Sequence, residues 1–452
     1  MKGSAMRSAT IAAGVALALG AGSAHATNGY FAHGYGTQNK GMGGVGMAVQ
    51  TDGFGAATNP ASIAGLDRQI NGSLSFFRPE RDVEAGPPAF GLGPQSFPLV
   101  TNGRLKSGRE SFLIPGVAYV QPINDQLTFG LALVGNGGLN TDYSAYANPM
   151  GCTDPMSGQT VGTGTGIFCS GEAGVNLEQL AILPTLGATF NDGRVRVGGG
   201  PVISYQRFRA KGLAPFAQFS QNPANVSDNG TDSAFAFGGQ IGFQADVADG
   251  VTVGASYRSK LRAGSFDKYE GLFAEQGKFD VPSSLGLGVA VDVTPAITVS
   301  ADYQRINYTD VAAISNSFSN LFGAFPPPMG AGNPNNALGG NDGPGFGWRD
   351  INVFKIGAQI DGGNGWTYRV GYNRGQNPIK SSEVLFNTLA PGVTQDHVTV
   401  GLSRDVNENL SLHFAGMFAP RKSVTGPNAL DGQDLTIRMR QYELEVGVSY
   451  RF

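Results

Sequence analysis

The chain predicts an all-β fold: a 14-stranded antiparallel transmembrane β-barrel with an N-terminal plug, or hatch, in its lumen. Three observations carry this. Apolar residues alternate with small or polar ones over strand-length runs, short turns alternate with long irregular segments, and the apolar runs end in aromatic residues. In LGLGVAVDV, Leu285, Leu287, Val289, Val291 and Val293 share one face, and Gly286, Gly288, Ala290 and Asp292 the other. Trp366, Tyr368, Val370 and Tyr372 alternate with Thr367, Arg369 and Gly371 in the same way. At the C-terminus Tyr442, Leu444, Val446, Val448, Tyr450 and Phe452 alternate with Glu443, Glu445, Gly447, Ser449 and Arg451. A soluble sandwich also alternates, but it turns Lys and Glu outward. An apolar face with aromatic ends, backed by a glycine-rich polar face, belongs to a sheet with lipid on its outside.

Residues 1–26 read as a secretory leader: Lys2 and Arg7 are followed by the apolar ATIAAGVALALGAG and the small-residue exit Ala24-His25-Ala26. Residues 27–69 do not alternate; they are rich in Gly yet carry Met, Val, Phe and Tyr. Glycine permits the tight turns and close packing a small plug needs, so this segment is placed in the lumen, with a periplasmic tail as the alternative. Residues 70–452 then form the barrel. Six short turns recur, at 122–125, 191–194, 248–250, 294–296, 361–365 and 407–409. Between them lie long Gly/Pro/Asn-rich segments near 79–110, 136–177, 210–234, 263–281, 309–349, 376–395 and 421–438. Six turns and seven long loops join fourteen strands, expected at about 9–14 residues each; about ten tilted residues cover the apolar height of an outer membrane.

Charged residues are only 14% of the chain and the formal net charge is −3, which gives no reason to expect nucleic acid or an acidic partner. No run after the leader reaches the ~20 apolar residues of a spanning helix. Cys152 and Cys169 lie 17 positions apart in a Gly/Pro/Ser/Thr-rich loop of an exported chain, so they are expected to form a disulfide. No His or second Cys pair stands near them, so no metal site is expected. The remaining histidines, His33, His397 and His413, form no catalytic pattern, and there is no G-x-S-x-G or P-loop. An enzyme is not expected, nor any cofactor. Asp292, Lys355, Arg369, Glu443, Glu445 and Arg451 fall on the inward phase, as cross-strand pairs of a polar wall. Lys355 or Arg369 is the candidate partner for a substrate carboxylate.

Several runs resemble the FadL family of bacterial outer-membrane transporters of long-chain fatty acids and other hydrophobic compounds. They are the glycine-rich N-terminal segment ending in the hatch motif Asn59-Pro60-Ala61, FLIPGVAYVQPINDQLTFGLALVGNGG, Gly347–Ile379, DHVTVGLSRDVNENLSLHFAGMF and the terminal Tyr450-Arg451-Phe452. The likeness runs through nearly the whole chain after the leader. It implies a monomeric 14-stranded barrel with a hatch, capture of substrate at external loops, a site beside the hatch, and sideways exit at an inward kink of the third strand. Gly135, Gly137 and Gly138 at the end of strand three suit such a kink, or else begin an external loop. Leu213, Phe216 and Phe219 in one loop and Phe266, Leu272 and Phe273 in another match the family's capture loops. They either meet something greasy or form internal clusters that keep the loops folded.

The expected function is passive uptake of hydrophobic small molecules, long-chain fatty acids first, in the bacterial outer membrane. The expected partners are outer-membrane lipid and lipopolysaccharide, and the barrel-assembly machinery through the Phe452 strand. The competing readings are a transporter of aromatic hydrocarbons, a closed structural or adhesive barrel, and an open porin. Asn59-Pro60 is stiff, because proline fixes its own φ and restricts the residue before it, so it is expected to latch the hatch opposite the Gly135–Gly138 kink, with a plain turn as the alternative. The disulfide closes a loop worth roughly 3 kcal/mol against the unfolded chain. Reduction is expected to raise protease cleavage near Cys152 while the β circular-dichroism signal and heat-modifiable gel mobility of the barrel persist.

Overall fold

The computed structural model describes residues 28–86, 100, 103–145, 152, 159, 163–324 and 332–452. The leader assigned to residues 1–26 lies outside them. Fourteen long strands follow one another round a closed antiparallel sheet. They are β1 (Gln69–Ala85), β2 (Phe112–Pro122), β3 (Leu127–Asn140), β4 (Gly174–Phe190), β5 (Val195–Lys211), β6 (Asp232–Ala248) and β7 (Val251–Arg258). The second half comprises β8 (Ser284–Thr294), β9 (Ile297–Ile306), β10 (Ile351–Gly363), β11 (Trp366–Gly375), β12 (Asp396–Asp405), β13 (Leu410–Pro427) and β14 (Asp434–Arg451). β14 pairs with β1 from Gln69↔Arg451 to Ala85↔Leu435 and closes the barrel. Within a bilayer this closure leaves no free sheet edge.

The alternation sets the two faces. Leu285, Leu287, Val291, Trp366, Tyr368, Val370, Tyr372, Leu444 and Val446 all point outward and are exposed on the isolated chain. Their neighbours Glu443, Glu445, Arg369 and Ser449 are buried inside. The six expected turns join β2 to β3, β4 to β5, β6 to β7, β8 to β9, β10 to β11, and β12 to β13.

Six of the fourteen strands are longer than the sequence suggested, and β7, with 8 residues, is shorter. β1, β4, β5 and β6 have 17 residues, and β13 and β14 have 18. At roughly 3.4 Å per residue they overshoot a tilted apolar band about 25 Å tall. The segment expected as a loop at 421–438 is mostly paired strand, with Pro427 opposite Asp434. The same holds for the start of 79–110, where β1 pairs with the short strand Gly103–Lys106. The apolar alternation fades there because the outer face no longer meets lipid. Arginines take over, and Asp82 accepts from Arg104, Arg421 and Arg438 at 2.9–3.2 Å.

Residues 28–68 lie inside the ring as a hatch that touches both halves of the wall. Most of it is buried, and its only regular pieces are a short helix, α1 (Thr37–Gly41), and two 3-10 turns, Gly53–Ala57 and Pro60–Ile63. The inward glycines explain how so much chain fits. A methyl group added at Gly187, Gly198, Gly242, Gly254, Gly357 or Gly371 would come within 3.0 Å of hatch atoms, mostly backbone. At Gly242 it would stand 2.0 Å from Asn59 Oδ1 and 2.7 Å from Pro60 Cδ. Overpacking of this kind costs about 1–3 kcal/mol, and here it falls on the hatch rather than on the sheet ladder. Gly242→Val is therefore expected to assemble with unchanged heat-modifiable mobility but to expose the hatch to protease. The check is limited proteolysis with mass spectrometry of residues 28–68.

Candidate functional site

Asn59-Pro60-Ala61 opens the 3-10 turn Pro60–Ile63. Asn59 is the N-cap, its Oδ1 accepting from Ala61 N at 3.0 Å, and Pro60 takes the first position, where no N–H is needed. The Asn59 amide donates to Met47 O at 2.7 Å within the hatch and to Phe243 O at 3.0 Å on β6. The motif therefore joins the hatch to β5 and β6. This corrects the expected placement opposite the glycines of strand three: the close approach of Pro60 to Gly198 and Gly242 fixes it elsewhere on the wall.

Tyr30 and Phe31 meet the strand-three glycines instead. β3 pairs with β2 only from Thr128 to Leu133, the last pair being Val117↔Leu133. Beyond that the register to β4 shifts between Gly135 and Gly137, and every residue from Ala132 to Asn140 is buried. The strand has turned inward. Phe31 forms an antiparallel bridge with Gly137, and Gly138 N donates to Tyr30 O at 3.3 Å. A side chain at Gly137 would strike Tyr30 O at 2.6 Å. On the other lip, Phe112–Gly116 of β2 pairs with β1 but has no ladder to β3 among the described residues. Pro115 sits in this stretch, as proline does at a sheet edge. The barrel wall thus opens between β2 and β3.

Behind the gap lies a small cavity bordered by Gly34, Lys40, Pro115, Val134, Gly135 and Glu445. Above, the N-terminal end of the hatch is tied to the external loops. Tyr308 OH donates to Asn28 O at 2.5 Å and accepts from Tyr30 N at 3.3 Å. Trp348 packs edge-on against Tyr308 at 5.0 Å and donates to Asn387 Oδ1 at 2.6 Å.

The loop residues form one apolar cluster. Leu213, Phe216, Phe266 and Phe273 are at most 5% exposed, and Phe219 and Leu272 pack against them. Of the two readings left open by the sequence, the internal cluster describes their packing. Leu213, Phe216, Leu272 and Phe273 also border a cavity with Phe346, Phe386 and Leu389. It offers about 40 Å³, against about 150 Å³ for an engineered cavity that takes up benzene. Cys152 and Cys169 are bonded in the loop between β3 and β4.

The inward charges serve the hatch more than one another. Glu443 and Glu445 both form their ion pair with Lys40 of α1, and Glu443 also accepts from Ser75 Oγ on β1. The two wall carboxylates hold the Lys40 ammonium above its ordinary value, although burial alone would lower it. Burial likewise pushes the His33 imidazole down to about 4, with Glu443 only 3.5 Å away. Arg369 is not free for a substrate: it donates to Gln359, Ser403 and Gln38 at 2.5–2.9 Å. Lys355 donates to Gly44 O at 3.1 Å and borders a small polar cavity with Arg258 and Tyr35. Asp292 bonds across to Thr298, as expected, and Arg451 is exposed at the barrel end. His413 sits between Ser403 and Ser449 at 2.7 and 2.9 Å, a structural role. Sequence reasoning missed Tyr30, Phe31, Lys40 and Pro115. Only Pro115 carried a local signal, a proline inside a strand-like run.

No curated protein matches the chain. Among solved structures, the P. putida toluene transporter TodX is similar at 20% identity, with 93% of this chain and 99% of that chain covered and a TM-score of 0.64. A Pseudomonas aeruginosa FadL homologue is similar at 16% identity, over 94% and 100% of the two chains, with a TM-score of 0.64. The Ralstonia pickettii toluene transporter TbuX follows at 18% identity, over 93% and 99%, with a TM-score of 0.58. At these identities the likeness is one of fold. The family model described as outer membrane protein transport protein (OMPP1/FadL/TodX) matches residues 17–452. A closed barrel with a lumenal hatch and a match over nearly its full length therefore place this chain in the OMPP1/FadL/TodX family, whose members are outer-membrane transporters of hydrophobic compounds.

Proposed function

We propose that this barrel takes up hydrophobic small molecules passively, long-chain fatty acids first, by loop capture and sideways release through the wall. The observation that carries the reading is the parting of β3 from β2 after Leu133, with the freed segment paired to Phe31 of the hatch. A purely structural barrel has no need to forgo ladder bonds in lipid, where each unmet backbone group costs several kcal/mol. Cargo would enter among Leu213, Phe216, Leu272 and Phe273, pass Trp348 and Tyr308, and leave over Gly135, Gly137 and Gly138. Because the loop cavity is small, entry requires its phenylalanines to move.

Lys355, with Arg258, borders a polar cavity beside the hatch and is the group proposed to meet a fatty-acid carboxylate. A second reading, uncharged aromatic hydrocarbons, is favoured by the loop cavity, whose lining is nearly all carbon. Two of the similar structures are named as toluene transporters.

The chain has two tryptophans, and Trp366 lies on the outer face, so Trp366→Phe leaves buried Trp348 as a reporter. Titration with fatty acids and with toluene is expected to quench Trp348, and Phe216→Ala to weaken that quenching about tenfold, roughly 1.4 kcal/mol. If fatty acids are the cargo, Lys355→Met lowers affinity for oleate and leaves toluene unchanged; equal effects on both would remove the carboxylate assignment. Absence of quenching by every ligand, with no uptake by cells expressing the protein, would remove the transport reading.

A further inference from the structure

The route through loops and wall gap leaves one cluster of buried charge without a task. Lys40 Nζ stands 2.5 Å from Glu443 Oε1 and 2.5 Å from Glu445 Oε2. Thr37 Oγ1 donates to Glu445 at 2.8 Å and Ser75 Oγ to Glu443 at 2.5 Å. Lys40, Glu443 and Glu445 are 7%, 3% and 2% exposed. One ammonium here answers two carboxylates, deep inside the ring.

The sheet does not require these charges. At Glu443 and Glu445 the β14 ladder is complete on both sides, opposite Phe77 and Ser75 of β1 and Met417 and Ala415 of β13. Apolar or neutral side chains of similar size would fill the same volume, and such a swap for a buried ion pair is often neutral. The ion pairs link two bodies that no covalent bond or strand ladder holds at this point, the hatch helix and the wall. Their position is also particular. Lys40 and Glu445 border the small cavity that reaches Pro115 and Gly135 at the gap between β2 and β3. The Asn59 anchor, by contrast, lies on β6.

We propose that Lys40, Glu443 and Glu445 form an ionic latch that seals the lumen beside the wall gap, so that cargo leaves sideways while ions and water do not cross. Lys40 is the determinant of that seal. Removing it leaves two buried carboxylates facing each other, which draw in water and cations and push the hatch from β14. Removing all three charges together leaves a neutral contact that stays shut. The latch rests on reading residues 28–68 as the plug of a hydrophobic-compound channel. The two claims fail separately, since the latch is read with ions and the channel with hydrocarbon or fatty-acid uptake.

The test compares the full-length wild type with Lys40→Met and with Lys40→Met/Glu443→Gln/Glu445→Gln in planar bilayers containing potassium chloride. Lys40→Met is expected to conduct for at least about ten times longer than the wild type, the factor produced by about 1.4 kcal/mol of lost closure. The triple variant is expected to return to the wild-type level. A silent, correctly assembled Lys40→Met overturns the proposal, and so does a triple variant that leaks as much as Lys40→Met. If Lys40→Met fails to assemble, the triple variant decides. Assembly with a closed lumen supports charge balance as the latch, whereas failure to assemble, or leakage, overturns it.

Discussion

A peptide group in the hydrocarbon of a membrane has no water to bond, so each must find its partner within the protein. The rest of this structure follows from that constraint. It makes the sheet close, with β14 returning to β1 over seventeen register pairs. It makes the outer face apolar. It also makes any interruption of the ladder informative. The interruption after Leu133 is stabilised from inside, where the backbone of Tyr30 and Phe31 takes over part of the pairing that β2 gives up.

Closure creates a second problem, a polar lumen that must be filled without a hydrophobic core of its own. The hatch solves it with close backbone approach at wall glycines, together with the buried side chains of Tyr30, Met42, Phe54 and Ile63. Wall glycines let Met42, Gly43, Met47, Pro60 and Ala64 come within van der Waals contact or nearer of where a Cβ would stand. Hydrogen bonds then set the position: Gly46 N and Met47 N to Asp302, Gly43 N to Thr399, Asn59 to Phe243. The charged wall residues belong to this same interface. Glu443 and Glu445 face Lys40, and Arg369 faces Gln38, so the polar wall is specific for the segment it encloses.

The external layer is built differently. Its loops hold a carbon-lined cluster that joins segments distant in sequence, with Phe216 against Phe168 and Phe386, and Phe208 against Tyr269 and Phe273. Trp348 and Tyr308 connect this cluster to Tyr30. Loop packing, the end of the hatch and the turned-in part of β3 are therefore contiguous.

The barrel, its strand number and its short turns were legible in the sequence because period-two alternation is a local property, written in each strand separately. The lumenal hatch was legible as a break in that period, and the Asn59-Pro60 turn because capping is chemistry between near neighbours. The strand ends were not, since above the lipid the outer face becomes polar and the alternation of β13 and β14 fades into Arg438, Arg440 and Lys422. Nor was the partner of each inward group. Lys40 lies more than 400 positions from Glu443 and Glu445, and Phe31 more than 100 from Gly137. No spacing rule reaches across such distances. The sequence by itself determined a sheet with one greasy face and a segment that could not join it. Only the tertiary structure decided which wall strands that segment grips, because closing the ring is what brings those residues together.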